Sequence, residues 1–118
     1  MQSQEDIISR LLEKDLDELY IDIGRELYGS ASFPPQLNQL GQVARVWLQA
    51  KRVEIARAVC PNKTIQMLIS NRPTTQDQLV LVTAVADLIA SLVIGVSPVT
   101  VAVLLVKEGL KTLCDDNQ

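Results

Sequence analysis

Hydrophobic residues recur at helical spacing along the first quarter of the chain. They stand three or four positions apart, at Ile8, Leu12, Leu16, Leu19, Ile23 and Leu27. This spacing places all of them on one face of an α-helix and leaves the other faces to polar residues. Glu5 and Asp6 suit the first turn of such a helix, where the helix dipole favours acidic side chains, and Gly29 ends it. The pattern predicts one helix over about 4–28.

The middle of the chain repeats the amphipathic pattern in one long segment. Apolar side chains share one side of 36–59, while Arg45, Gln49 and Arg52 form a polar stripe on another side. A Cys-Pro-Asn sequence ends this segment, because proline cannot continue a helix and asparagine suits an N-cap. We therefore predict a second helix over about 36–59 and a short third helix over about 63–70.

The last forty residues are much more hydrophobic than the rest. Between positions 79 and 94 the only polar side chains are Thr83, Asp87 and Ser91, which recur every fourth residue. A helix that is apolar on nearly all sides belongs inside a protein or against a partner. The sequence predicts a fourth helix over about 75–94 with this character.

A tight turn connects this helix to the end of the chain. Gly95 suits the left-handed position after a helix, Ser97 an N-cap, and Pro98 the first helical position, where its missing N–H costs nothing. These signals predict a fifth helix over about 98–113 and hence a helical hairpin. The β-branched residues of 99–106 leave a buried strand as the alternative.

The predicted fold class is an all-α, single-domain bundle of about five helices, spanning 1–118, with a very hydrophobic C-terminal helical hairpin. A length of 118 residues suits one domain. A membrane-spanning helix needs about 20 apolar residues in succession, and neither arm of the hairpin supplies them. We expect the other helices to give the hairpin too little cover. Its side bearing Val99, Val103 and Val106 is therefore predicted to meet another copy or another protein, with an ordinary core position as the alternative.

Asp87 is the one charge that the pattern places inside the core. A buried carboxylate needs a hydrogen-bond donor, a cation or a proton. Arg45, Arg52 and Lys107 are its candidate partners. We expect Asp87 to fix the register of the hairpin, with an interface anchor as the alternative.

Charge is distributed unevenly along the chain. The segment 1–28 carries eight acidic and three basic residues, and 36–63 carries five basic residues and one acidic residue. The net charges of −5 and +4 predict that these two segments lie side by side.

Composition excludes most catalytic chemistry. The chain has no histidine, which removes the commonest general base and metal ligand. It also lacks phosphate-binding glycine loops, nucleophile elbows and zinc-protease motifs. Cys60 and Cys114 form no CxxC pair, and we expect free, buried thiols in a cytoplasmic protein, because the N-terminus lacks a secretory signal. No catalytic residue, cofactor or metal is predicted.

These observations favour a non-enzymatic protein-interaction or adaptor module. We expect it to self-associate or to dock a partner protein through the apolar hairpin. The candidate interaction residues are Val99, Val103, Val106, Asp87, Arg45, Gln49 and Arg52.

Two other functions stay open. The hairpin could leave the bundle and enter a membrane with Asp87 protonated. The second and third helices could instead form a weak nucleic-acid-binding helix-turn-helix, with Arg45, Gln49 and Arg52 facing the ligand. The acidic isoelectric point of about 4.8 opposes this second alternative.

Overall fold

The computed structural model describes residues 4–28, 37–70 and 75–116. Over these residues the chain forms seven helices and no strand, which confirms the all-α class and excludes the strand alternative for 99–106. The helices are α1 (Gln4–Glu13), α2 (Leu16–Tyr28), α3 (Leu37–Val59), α4 (Lys63–Ser70), α5 (Thr75–Ile89), α6 (Pro98–Glu108) and α7 (Leu110–Asp116). The predicted bounds of the short helix 63–70 are confirmed.

The first predicted helix, 4–28, is two helices. The first of them ends at Glu13. After this end, the carboxylate of Asp15 accepts a hydrogen bond of 2.8 Å from the backbone N–H of Glu18. This is the geometry of an N-cap, so Asp15 starts a new helix. The hydrophobic spacing does not register the break, because α1 and α2 both turn their apolar faces toward the same core.

The C-terminal pair also differs from the prediction. The helix predicted over 75–94 ends at Ile89, and the one predicted over 98–113 is interrupted at Gly109. Gly109 has φ +112°, a left-handed conformation that favours glycine, and its N–H donates to the carbonyl of Leu105 at 3.0 Å. The chain therefore turns here and α7 follows.

The predicted start of α6 is confirmed. Ser97 is the N-cap, with its hydroxyl accepting from the N–H of Thr100 at 3.4 Å, and Pro98 opens the helix. Gly95 has φ +91° as expected, but it lies in the turn after α5 and not directly at the end of that helix.

Helix α6 is the centre of the core. Its residues from Thr100 to Leu105 are all buried, and α1, α2, α5 and α7 pack against it. The expectation that the side bearing Val99, Val103 and Val106 stays uncovered is wrong: Val103 is 0% exposed, and the other two are partly buried. The break between α1 and α2 explains the difference, because both of these short helices contact α6.

The acidic and basic segments lie side by side, as predicted. Helices α2 and α3 pack together, and the guanidinium of Arg45 forms an ion pair with Asp17. Gly24 of α2 lies directly against the backbone of Leu40 in α3.

The prediction of free thiols is wrong. Cys60, just after α3, and Cys114, in α7, form a disulfide with a Cα–Cα distance of 5.6 Å. The turn at Gly109 brings α7 back toward the end of α3, so the two cysteines meet although 54 positions separate them. The cytoplasmic location stays a prediction, and it loses the support that free thiols would have given.

Among the described helices, none combines the length and the hydrophobicity needed to cross a bilayer.

Candidate functional site

A polar cluster joins three helices beside the core. Glu108, the last residue of α6, accepts a hydrogen bond from the phenol of Tyr20 in α2 through Oε1. Its Oε2 accepts from the guanidinium of Arg52 in α3 at 2.8 Å. Arg45 lies over the face of the Tyr20 ring, with its guanidinium carbon 4.2 Å from the ring centre. The cluster ties α2, α3 and α6 together at one point.

The electrostatics of the cluster suit a structural tie better than catalysis. Burial, followed by the hydrogen bond to Glu108 and the charge of that residue, raises the pKa of Tyr20 to about 12. Burial alone lowers the pKa of Arg52, but its interactions with Glu108 and, to a smaller extent, with Tyr20 together outweigh burial and raise the pKa above its usual value. Tyr20 therefore keeps its proton and Arg52 keeps its charge at neutral pH, and neither can act as a base.

We expect the folded protein to lose stability between pH 10 and pH 12. Because the pKa of Tyr20 rises from 10.0 to about 12 on folding, its contribution is complete below pH 10 and disappears as pH approaches 12. Urea unfolding across this range measures the effect, and a Tyr20→Phe variant should show a flatter profile. The phenolate absorbance of that variant should lack the step near pH 12. Ionisation of Tyr20 near pH 10 in the folded protein would contradict the expectation.

An open groove of about 600 Å³ lies beside this cluster, between α3 and the α6–α7 turn. Its lining combines polar and aliphatic side chains with one glycine. The lining residues are Leu16, Gln49, Arg52, Val53, Lys107, Glu108, Gly109, Thr112 and Leu113. We call it the α3–α7 groove. The ammonium of Lys107 donates to the backbone carbonyls of Leu12, at 2.8 Å, and of Lys14. Lys107 is thus fixed at the groove by neutral partners, and its positive charge is not compensated by them.

An aliphatic ridge on α3 adjoins the groove. Val46 and Val53 are 62% and 49% exposed, and they lie seven residues apart on one side of the helix. Gln49 and Ala50, which lie between them on this side, are exposed as well. Val53 belongs to both the ridge and the groove lining, so the two surfaces are continuous.

The structure brings together two of the predicted site residues. Gln49 and Arg52 both line the α3–α7 groove. Arg45 is not part of the groove lining; it lines a smaller cavity between α2 and α3, beside its partner Asp17, and reaches the polar cluster through the Tyr20 ring. The sequence predictions missed Lys107 as a groove residue, together with Glu108 and Tyr20. Glu108 and Tyr20 are 88 positions apart and leave no local signal.

The prediction that Asp87 is buried is wrong. Asp87 is exposed on α5, and none of its three candidate partners pairs with it. Arg45 pairs with Asp17, Arg52 with Glu108, and Lys107 with backbone carbonyls. The helix pattern showed that α5 is apolar on most sides, but it could not show that α1 leaves the Asp87 side open to solvent.

Two further sources of evidence about function are metal-ligand clusters and similarity to known proteins. Within 4–28, 37–70 and 75–116 there is no group of three or more acidic, cysteine or histidine side chains placed to hold a metal ion. Comparisons with protein families, curated proteins and solved structures found no match.

Proposed function

We propose that the chain is a non-enzymatic helical protein-interaction module that docks a segment of a partner protein in the α3–α7 groove. The observation that carries the proposal is the continuity between an exposed aliphatic ridge and a groove with fixed charges. Val46 and Val53 offer apolar area, and Lys107 offers a positive charge beside it. Interfaces commonly combine an apolar contact area with a polar rim in this way.

The partner segment should carry an acidic side chain next to aliphatic ones. The groove lining contains two cations and one carboxylate, so it has a net positive charge. Glu108 already pairs with Arg52, whereas Lys107 is bound only by carbonyls. An acidic group of the partner therefore finds an uncompensated positive charge at Lys107.

The groove replaces the hairpin as the proposed docking surface. Docking through Val103 would require α6 to leave the core, since this residue has no exposed area. Insertion of the hairpin into a membrane would require the same opening of the core. Nucleic-acid binding through the α3 stripe is less favoured, because Arg45 and Arg52 are already paired with carboxylates.

Selection from a displayed random-peptide library tests the proposal. We expect the enriched peptides to combine aliphatic and acidic residues. Their affinity should fall about tenfold or more for a Val46→Ser/Val53→Ser variant, because the variant removes the apolar contact of the ridge. The matched control is Met67→Ser on α4, a residue 68% exposed and outside the groove.

Two outcomes would contradict this proposal. One is the enrichment of peptides without acidic residues, and the other is equal binding by the ridge variant and the Met67 control. Sedimentation of the protein without peptide tests the remaining alternative, which is self-association. A dimer that dissociates in the ridge variant would assign the ridge to self-association.

A further inference from the structure

A second groove, of about 340 Å³, lies between α1 and α5. Its lining is separate from that of the α3–α7 groove and consists of Glu5, Leu79, Val80, Thr83, Ala84 and Asp87. Only Glu5 belongs to α1, and the other residues follow one side of α5 over about two turns. We call it the α1–α5 groove.

The floor of the α1–α5 groove is aliphatic. Leu79 and Ala84 are partly exposed, and Val80 is 44% exposed. The one hydroxyl of the lining, on Thr83, donates to the carbonyl of Leu79 in its own helix at 2.9 Å. This bond satisfies the hydroxyl proton of Thr83, so the floor offers mainly apolar area to a ligand.

Two carboxylates border this apolar floor. Glu5 and Asp87 are both exposed, and neither carboxylate forms a hydrogen bond or an ion pair with any residue in the described part of the chain. By contrast, Asp17, Asp22 and Glu108 each pair with a cation of this chain. The negative charge at the α1–α5 groove is therefore not compensated within the described fold.

We propose that the α1–α5 groove binds an amphipathic helix of a partner protein whose aliphatic face is flanked by lysine or arginine. Helices commonly dock their apolar face in a shallow groove, and charges at the rim select the partner. The aliphatic floor accepts the apolar face, and Glu5 and Asp87 accept the basic side chains.

A partner protein fits this groove better than a second copy of the chain. The basic helix of the chain is α3, and its Arg45 and Arg52 are held by Asp17 and Glu108. Lys51 lies over the Trp47 ring, and the exposed aliphatic ridge carries Glu54 next to Val53, so the ridge is not flanked by cations alone. The inference goes beyond the proposed function, because this groove favours basic ligands whereas the α3–α7 groove favours acidic ones. A chain with both grooves can bridge two different proteins.

A fluorescent model peptide tests the inference directly. The probe is a leucine–lysine heptad peptide of about four helical turns, and its counterpart carries glutamate in place of lysine. The wild-type protein should bind the lysine peptide and should bind the glutamate peptide much more weakly. A Glu5→Lys/Asp87→Lys variant should weaken binding of the lysine peptide about tenfold or more.

The matched control is a Glu18→Lys/Glu54→Lys variant. It changes the net charge by the same amount at two exposed acids outside the α1–α5 groove. This control should change the affinity about twofold or less, since charges outside the contact act only through screened long-range attraction. Equal weakening by the two variants, or no binding of the lysine peptide by the wild type, would overturn the inference.

Two further measurements locate the contact and identify the occupant. In methyl NMR spectra of the wild-type protein, the peptide should shift the methyl resonances of Leu79, Val80 and Ala84. The resonances of Val46 and Val53 should stay unchanged. The opposite pattern would refute the inference without use of any variant. Sedimentation equilibrium should show no dimer that depends on Glu5 and Asp87. A dimer of this kind would assign the groove to a second copy and overturn the proposal.

Discussion

Replacing Gly24 with alanine should destabilise the protein by about 2–3 kcal/mol, although alanine is the better helix former. A Cβ atom at Gly24 would lie 2.2 Å from the carbonyl oxygen of Leu40 and 2.7 Å from its carbon. Both of these atoms belong to the backbone of α3, so no side-chain rotation can relieve the clash. The two helices would have to separate at their closest approach, and the core contacts between them would weaken.

Gly41→Ala is the matched control, because this glycine also lies in the packed pair of α2 and α3. Its Cβ atom would lie 3.7 Å from Cγ1 of Ile21, which is an ordinary van der Waals contact. The helix propensity of alanine should then raise stability by about 0.5–1 kcal/mol. Urea unfolding followed by circular dichroism measures both variants. Changes of the same sign would contradict the close approach at Gly24.

Removing the disulfide should cost about 4 kcal/mol of unfolding free energy. The bond between Cys60 and Cys114 closes a loop with a sequence separation of 54, and the loss of chain entropy in the unfolded state grows with the length of such a loop. Tertiary contacts alone hold α7 only weakly in place, since this helix is short and packs mainly on α6 and α3. A Cys60→Ser/Cys114→Ala variant should therefore unfold at a lower urea concentration.

Reduction of the wild-type protein provides the control for this variant. The protein in dithiothreitol should unfold at nearly the same urea concentration as the double variant, and the double variant should not respond to dithiothreitol. Equal stability of the oxidised and reduced proteins would contradict the prediction. The comparison separates the effect of the covalent link from the effect of replacing the buried Cys114 side chain.

The sequence predicts the helical elements of this fold better than their ends. Periodicity located the helical segments, and the Ser97–Pro98 signal placed the start of α6 correctly. The apolar spacing does not predict the break before α2, although Asp15 and Glu18 have the spacing of a capping box. The apolar period continues across that break, and a hydrophobic pattern by itself reports which side of a helix is buried and not whether the helix is continuous.

The site residues were harder to predict than the helices. Tyr20 and Glu108 meet across 88 positions, and Cys60 and Cys114 across 54, so the contacts arise from tertiary packing alone. Asp87 shows a different difficulty. A carboxylate in an apolar helix suggested a buried charge, but depth depends on which neighbouring helix covers that side.

The hydrogen bonds of Lys107 have a consequence for the order in which the nascent chain can fold. The carbonyls of Leu12 and Lys14, at the break between α1 and α2, obtain their ammonium partner only from a residue more than ninety positions later. The same helix, α6, covers the apolar faces of α1 and α2. Helix α3 can cover part of α2 as soon as it is made, but the areas of α1 and α2 that pack on α6 have no native cover until residues 98–108 are synthesised. The packing of α1 and α2 is therefore completed only after α6 is made, and the uncovered apolar area is open to non-native contacts until then.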